Sequence, residues 1–357
     1  MRLILHIGMH KTASTTIQKR LKANNQCLEE FGYTYVANNR KALLKAVQEK
    51  NFKPWKELIR EAKTRGMIPI VSHEAFSHIL CRFRSGKKPT HIGDWLLKKL
   101  SNAGVKVTVI GFVRDQPSYL NSHYTQHVKR FATAKSLKSY AAKAMRPSIG
   151  KSSCDPEQLF GWLERHPSVQ KVFFPYGRSV TPPPSLVNHP KDPFAQFIHC
   201  LSIPPTVQFQ SISNLNAQPG DLAIRTALQL SQELKHEGIR LDKTTKLQAR
   251  SLICREAEQR NWMKTPYIGL SPKLNARIRS HYTAANNRFS IRVWGCPWDQ
   301  IFPAGPTAES HIPTRAEQKA IDEAVKKICL QLGPRPQRFR PLLRLLADAT
   351  GRTKDRC

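Results

Sequence analysis

The stretch LILHIGMHKTASTTIQKRL, residues 3–21, constrains the chain more than any other. A short apolar run from Leu3 to Ile7 opens into Gly8, His10, Lys11, Thr12, Ser14, Thr15 and Thr16. Ile17 and Leu21 then stand one helical turn apart. The order predicts a strand, a loop and a helix. Such a turn aims several backbone N–H groups and the positive end of a helix dipole at one spot, and it adds an ammonium group and hydroxyls around it. An anion, a phosphate above all, suits that spot. The nucleoside-triphosphate loop requires GxxxxGK[ST], but here His10 precedes Lys11 and only Gly8 stands upstream, which weakens an ATP or GTP reading.

The segment VTVIGFVRDQPSYLNSHYTQHVK repeats the architecture. An apolar run from Val107 to Val113 ends at Arg114, and a helix follows with Ser122 eight residues further on. Arg114 and Ser122 together predict a second anion contact, and two such contacts suit a nucleotide with two phosphate-bearing ends.

The pair HKTASTT and RDQPSYLNS resembles the two cofactor loops of sulfotransferases that use 3′-phosphoadenylyl sulfate (PAPS). The likeness is to bacterial, carbohydrate-sulfotransferase-like members, and is carried further by HIGMHKT, FGYTYV, VFFPYGR and NNRFSIRVWG, so that it spans residues 1–303. The resemblance implies that Lys11, Thr12, Ala13, Ser14, Thr15 and Thr16 hold the 5′-phosphosulfate, and that Arg114 and Ser122 hold the 3′-phosphate; His10 is a cofactor-binding candidate that either touches the phosphosulfate or packs beside it. Ala13 departs from the family, where glycine is common; a positive φ there would strain alanine by about 1 kcal/mol. In IPIVSHEAF a strand ending at Val71 and Ser72 is followed by His73 and Glu74, and the resemblance also implies a glutamate base there. Glu74 is the first candidate and His73 the second, with a pKa expected to be raised by partial burial. Lys11, Glu74 and His73 are thus the catalytic set, and no metal is required. Tyr176 and Arg178 are candidates to border the nucleotide, and Asn214 and Asn216 resemble a recurrent family segment. Asn286, Asn287 and Arg288 read as capping and surface pairing.

Strand signals near Arg2–Ile7, Ile68–Ser72, Lys106–Val113 and Lys171–Pro175 alternate with helical stretches such as Pro54–Lys63 and Ile92–Asn102. Alternation of this kind predicts an α/β fold, a P-loop-type parallel sheet with helices on both faces, whose ligands sit beyond the carboxyl ends of the strands. Beyond residue 205 the pattern is mainly helical, through Asp221–His236, Lys243–Gln259, Pro272–Val293 and Arg315–Leu332. The expected organisation is a sulfotransferase-like domain over 1–303, its part 205–303 mainly helical, followed by a C-terminal helix and basic tail over 304–357.

Fifty-eight basic residues against 25 acidic ones give a net charge of +33, which calls for anionic partners. No nucleic-acid-binding signature accompanies the charge, and a specific nucleic acid is not expected. The acceptor expected is a carbohydrate, acidic or neutral. Arg82, Arg84, Lys87 and Lys88, and Lys129, Arg130, Lys135, Lys138 and Lys143, are the acceptor-side clusters to weigh against plain solvated faces.

Eight cysteines show no CxxC pair and no ligand spacing with histidine, and read as reduced thiols. No span approaches the ~18–20 apolar residues of a transmembrane helix. No secretory leader pattern is present, and a cytoplasmic protein is expected. The tail PRPQRFRPLLRLLADATGRTKDRC carries a basic, partly apolar face that would allow peripheral contact with an anionic membrane.

Two rival functions use the same residues. An ATP-dependent kinase of small molecules or sugars would take Asp115 as its magnesium ligand. A basic polyanion- or nucleic-acid-binding protein would keep the nucleotide loop in an inactive form.

Overall fold

The computed structural model describes residues 1–84, 90–146, 154–212, 220–236, 238, 241–304 and 311–332. The chain divides into two units. Unit 1 comprises Met1–Leu120, Ala142–Leu215 and Asn275–Pro306, and unit 2 comprises Asn121–Ala141, Asn216–Leu274 and Thr307–Cys357.

Unit 1 is built on strands β1 (Arg2–His6), β2 (Tyr33–Tyr35), β3 (Ile68–Ser72), β4 (Phe83–Arg84), β5 (Thr90–His91), β6 (Lys106–Val113) and β7 (Gln170–Pro175). Five of them form one parallel sheet in the order β2-β3-β1-β6-β7, and β4 and β5 make a separate antiparallel pair. Buried on both faces, parallel strands read as continuous apolar runs, and VTVIGFV in β6 is buried from Val107 to Val113.

The period of two sorts the side chains of the sheet between its faces. Ile4, Ile70, Ile110, Phe112 and Phe174 join Ile17 and Leu21 of the helix Ser14–Ala23 and Phe194 and Phe197 of the helix Pro193–His199 in one cluster. Phe173, on the opposite face of β7, packs 4.8 Å from Phe160 and 5.5 Å from Phe289, ring centre to ring centre. Gly111, paired with Phe173 across β6 and β7, gives that ring its place: a Cβ on Gly111 would lie 2.6 Å from it. Each large side chain removed from water on these faces contributes about 1.5–3 kcal/mol.

In unit 2 the helices Asp221–His236, Lys243–Gln259 and Arg315–Gln331 pack on one another. Apolar stripes bring Ile224, Ala227 and Leu234 together with Ile253, Ile321 and Ile328 in the buried set. Glu256 is buried among them and takes ion pairs from Arg260 and Lys327. Asp242 and the Thr314–Glu317 capping box satisfy two of the helix starts.

The helix expected over Pro272–Val293 runs over Pro272–Trp294. Its Asn286 is a correction: far from surface pairing, it is buried and exchanges amide hydrogen bonds with Gln116. Asn214, Asn216, Lys87, Lys88 and the tail from residue 333 lie outside the described residues. The seven cysteines among the described residues are free thiols. Among the described residues no helix is long and apolar enough to cross a membrane.

Candidate functional site

All five strands of the sheet run the same way, so the segments that leave β1, β3, β6 and β7 emerge at one edge. Their order reverses around β1, with β3 on one side and β6 on the other. Ligand crevices of open parallel sheets form at such a reversal. The four emerging segments carry Gly8–Ala13, His73–Glu74, Arg114 and Tyr176–Arg178.

The β1 loop is held close to the sheet before it turns. Met9 N–H donates to Phe112 O at 3.0 Å, and Thr12 Oγ1 donates to Met9 O at 2.6 Å. A Cβ on Gly8 would stand 3.1 Å from Thr12 Oγ1 and 3.3 Å from the backbone nitrogen of Phe112, so glycine permits this approach. Lys11 and Ala13 then adopt left-handed backbone conformations, φ 66° and 61°. Two left-handed residues with a buried Thr12 between them turn the chain into the helix Ser14–Ala23.

That helix begins without a side-chain cap and without an acidic residue in its first turn. The first N–H groups of a helix have no partner inside it. Ser14 Oγ is buried beside them with no hydrogen-bond partner. An unsatisfied hydroxyl and unsatisfied amides at a positive helix end are the donor set an anion would complete. Thr16 is half-buried and Thr15 exposed on the first turn.

Ala13 meets the condition under which alanine is strained. Because the left-handed region disfavours a Cβ, Ala13→Gly is expected to raise stability by about 0.5–1 kcal/mol in urea unfolding, despite the extra freedom glycine has in the unfolded chain. A loss of stability would show that the loop does not hold this conformation in solution.

Arg114 leaves β6 toward this loop. Its Nη1 donates to Lys11 O at 3.0 Å and its Nε to Ser118 Oγ at 3.0 Å, while its guanidinium lies 5.8 Å from the centre of the Tyr176 ring. Burial lowers its pKa, and the Arg178 charge adds to that. Asp115, next to Arg114 in the chain, binds Arg279 and Trp298. Ser118, four residues past Arg114 and one turn into the helix Gln116–Lys129, is the serine Arg114 touches. Ser122 is buried one turn further along that helix.

Histidines surround Glu74. His10 Nδ1 lies 3.5 Å from Glu74 Oε1, and the His10 ring stacks on His78 with centres 4.6 Å apart and planes at 15°. Glu74 is half-buried, yet its pKa is lowered: the His10 hydrogen bond outweighs desolvation, and the charges of His10, His73 and Lys11 act in the same direction. This corrects the expected upward shift. Burial was anticipated; the ring that bonds the carboxylate was not.

His73 Nδ1 accepts the Ala75 N–H at 3.1 Å, which places the proton of the neutral ring on Nε2. Burial lowers its pKa, with Arg40, His10 and Lys41 adding to the effect against Glu74. Arg40 is fixed by Gln18 and the Tyr35 hydroxyl, and Lys41 beside it is exposed. Beneath the loop, His6 is fully buried, with Nδ1 2.7 Å from Ser72 Oγ, Nε2 unpartnered, and a pKa lowered to about 4 by burial. His78 is likewise held neutral, its pKa lowered to about 3 by burial. Sequence reading passed over His78, Ser118 and Arg40, and only Ser118 had a local signal, its four-residue distance from Arg114 on a helix start.

Comparison with protein-family profiles, with curated proteins and with solved structures found no match to this chain.

Proposed function

We propose that the protein is a sulfotransferase that moves a sulfuryl group from 3′-phosphoadenylyl sulfate to a hydroxyl of a carbohydrate acceptor, with its sheet of the P-loop type. The observation that carries this reading is the convergence of the uncapped helix start, the buried unpartnered Ser14 hydroxyl, Lys11 and Arg114 at one edge of one unit. The free thiols of the seven described cysteines suit a reducing, cytoplasmic setting.

In the proposed reaction Glu74 takes the proton of the acceptor hydroxyl as that oxygen bonds to sulfur. The bond from sulfur to the 5′-phosphate oxygen breaks in line, and 3′,5′-adenosine bisphosphate departs. Lys11, the N–H groups of residues 14–16 and the hydroxyls of Thr12, Ser14, Thr15 and Thr16 meet the charge that grows on the leaving oxygen. His10 holds Glu74 in its ionised form. His73 is the weaker candidate for the base, because the lone pair of its Nδ1 is already taken by Ala75 N–H and its Nε2 carries the proton. It would serve better as a donor to an anionic oxygen. Arg114 is assigned to the 3′-phosphate, with Ser118 and Tyr176 steadying the guanidinium.

The kinase alternative loses its metal ligand, since Asp115 Oδ1 accepts from Trp298 Nε1 at 3.1 Å and Oδ2 from Arg279 Nη2 at 2.9 Å. Calorimetry with 3′,5′-adenosine bisphosphate in EDTA tests the reading. Binding is expected without divalent metal, and Lys11→Ala and Arg114→Ala should each weaken it about 10- to 100-fold, the worth of a charge-assisted hydrogen bond. Tight binding of Mg-ATP with none of the bisphosphate would overturn it.

A further inference from the structure

A second group of cations stands in unit 2. The helix Lys243–Gln259 carries Lys246 and Arg250 one turn apart, separated by about 6 Å along its axis. The helix Gln116–Lys129 ends at Lys129, and the charged groups acting on that ammonium are Arg250, Arg130 and the Cys254 thiol. Burial and the two guanidiniums lower its pKa. The chain then turns through Phe131, whose φ of 53° is left-handed, into the wall of a groove of about 580 Å³. Phe131, Thr133, Leu234, Lys235, Leu241 and Lys246 line it.

We propose that this groove binds a compact organic polyanion, a molecule with at least two phosphate or carboxylate groups on one small frame. Lys235 and Lys246 stand in the wall, Lys129 and Arg130 directly precede the lining residue Phe131 in the chain, and Arg250 follows Lys246 by one helical turn, so two anionic groups would find cations. Phe131, Leu234 and Leu241 offer apolar surface to the frame between those groups, and Thr133 a hydroxyl. The volume falls within the range of small-molecule clefts. One aromatic ring does not make the stacking platform that single-stranded nucleic acid requires. The charges of Arg250 and Arg130 disfavour that of the half-buried Lys129, and a bound polyanion relieves that repulsion. The proposal stands whether or not the protein transfers sulfate.

Calorimetry on the full chain tests it, with inorganic tripolyphosphate and citrate as probes for the two kinds of anionic group. Lys129→Gln combined with Lys246→Gln should weaken the better-bound probe at least about tenfold, whereas removing two exposed charges from unit 1, Lys56→Gln with Lys98→Gln, should change it less than about twofold. The exposed Lys235→Glu, which spares the fold, should also weaken it. Lys129→Met should raise the melting temperature, since it deletes a charge that burial disfavours, while it lowers affinity. Equal losses in the two double variants would reduce the effect to overall charge and overturn the proposal. So would a melting temperature that rises with affinity unchanged. Tighter binding of a short oligonucleotide or a uronic-acid tetrasaccharide, with the same sensitivity to Lys129 and Lys246, would replace the compact ligand by a polymer.

Discussion

Changing Glu74 to glutamine is expected to slow the proposed sulfuryl transfer by about 10²–10⁴-fold, the usual contribution of a positioned general base. Binding of 3′,5′-adenosine bisphosphate should stay close to that of the parent, because the substitution removes a proton acceptor and leaves Lys11, Ser14 and Arg114 in place. The pH profile carries the sharper signature. The His10 hydrogen bond and the surrounding cations hold the Glu74 carboxyl below its ordinary value, so the acidic limb of kcat/KM should fall below the usual glutamate range near pH ~4.3. A polyanionic donor bound at the loop brings negative charge toward Glu74 and disfavours its ionised form. The limb of kcat, which reports the loaded enzyme, should therefore lie at higher pH than that of kcat/KM. Parallel profiles for Glu74→Gln and the parent would remove Glu74 from the base role. Folding stability follows the same sign: a depressed carboxyl pKa contributes stability above the unfolded value, and that contribution is lost as the pH falls through the folded one.

What made this site partly legible is local. Strands β1, β3, β6 and β7 declare themselves through continuous apolar runs, and in a parallel sheet each strand's next segment leaves at the same edge. Lys11, Glu74, Arg114 and Tyr176 could thus be assigned to one side of a sheet before any contact was known. Strand β2 escaped because Tyr33–Tyr35 is three residues long, too short to display a period. The helices of unit 2 were visible from their apolar stripes, with ends within one or two residues of those found. Contacts that depend on which strands neighbour which left no trace. The pairing of His6 with Ser72 and the approach of His10 to Glu74 both follow from β3 lying beside β1, which no periodicity encodes. The direction of the Glu74 pKa hung on that adjacency, and so the expectation failed there. Arg114 differs again: its position at a strand end was legible, but its hydrogen bond to Lys11 O depends on the left-handed turn at Lys11, in a loop whose glycine was missing from the expected place.

Asp115→Ala is expected to destabilise the protein by about 3–5 kcal/mol in urea unfolding, the cost of leaving one partner of a buried ion pair alone. Asp115 is buried, and its two oxygens hold Arg279 Nη2 and Trp298 Nε1. Alanine would leave that indole N–H without its acceptor and the guanidinium with only the carbonyls of Phe302 and Pro303. Asp115→Asn should cost much less, about 1 kcal/mol, because an amide keeps an acceptor for one donor and the carboxylate is itself expensive to bury. The sign agrees: burial raises the Asp115 pKa even though Arg279, Trp298 and Arg114 oppose it. A raised carboxyl pKa stabilises the fold below the unfolded value, and the gain disappears as the pH climbs through the folded one, so at neutral pH the charge is a cost that the geometry offsets. The comparison also separates the structural role of Asp115 from a metal-binding one. A carboxylate kept for magnesium would be a source of repulsion in metal-free buffer, and its removal there would leave stability unchanged or higher. Equal, small effects of alanine and asparagine in EDTA would show that Asp115 does not anchor Arg279 and Trp298. A large gap between them ties the strand end that carries Arg114 to the helix Pro272–Trp294, and loss of that tie should weaken adenosine bisphosphate binding in the alanine variant alone.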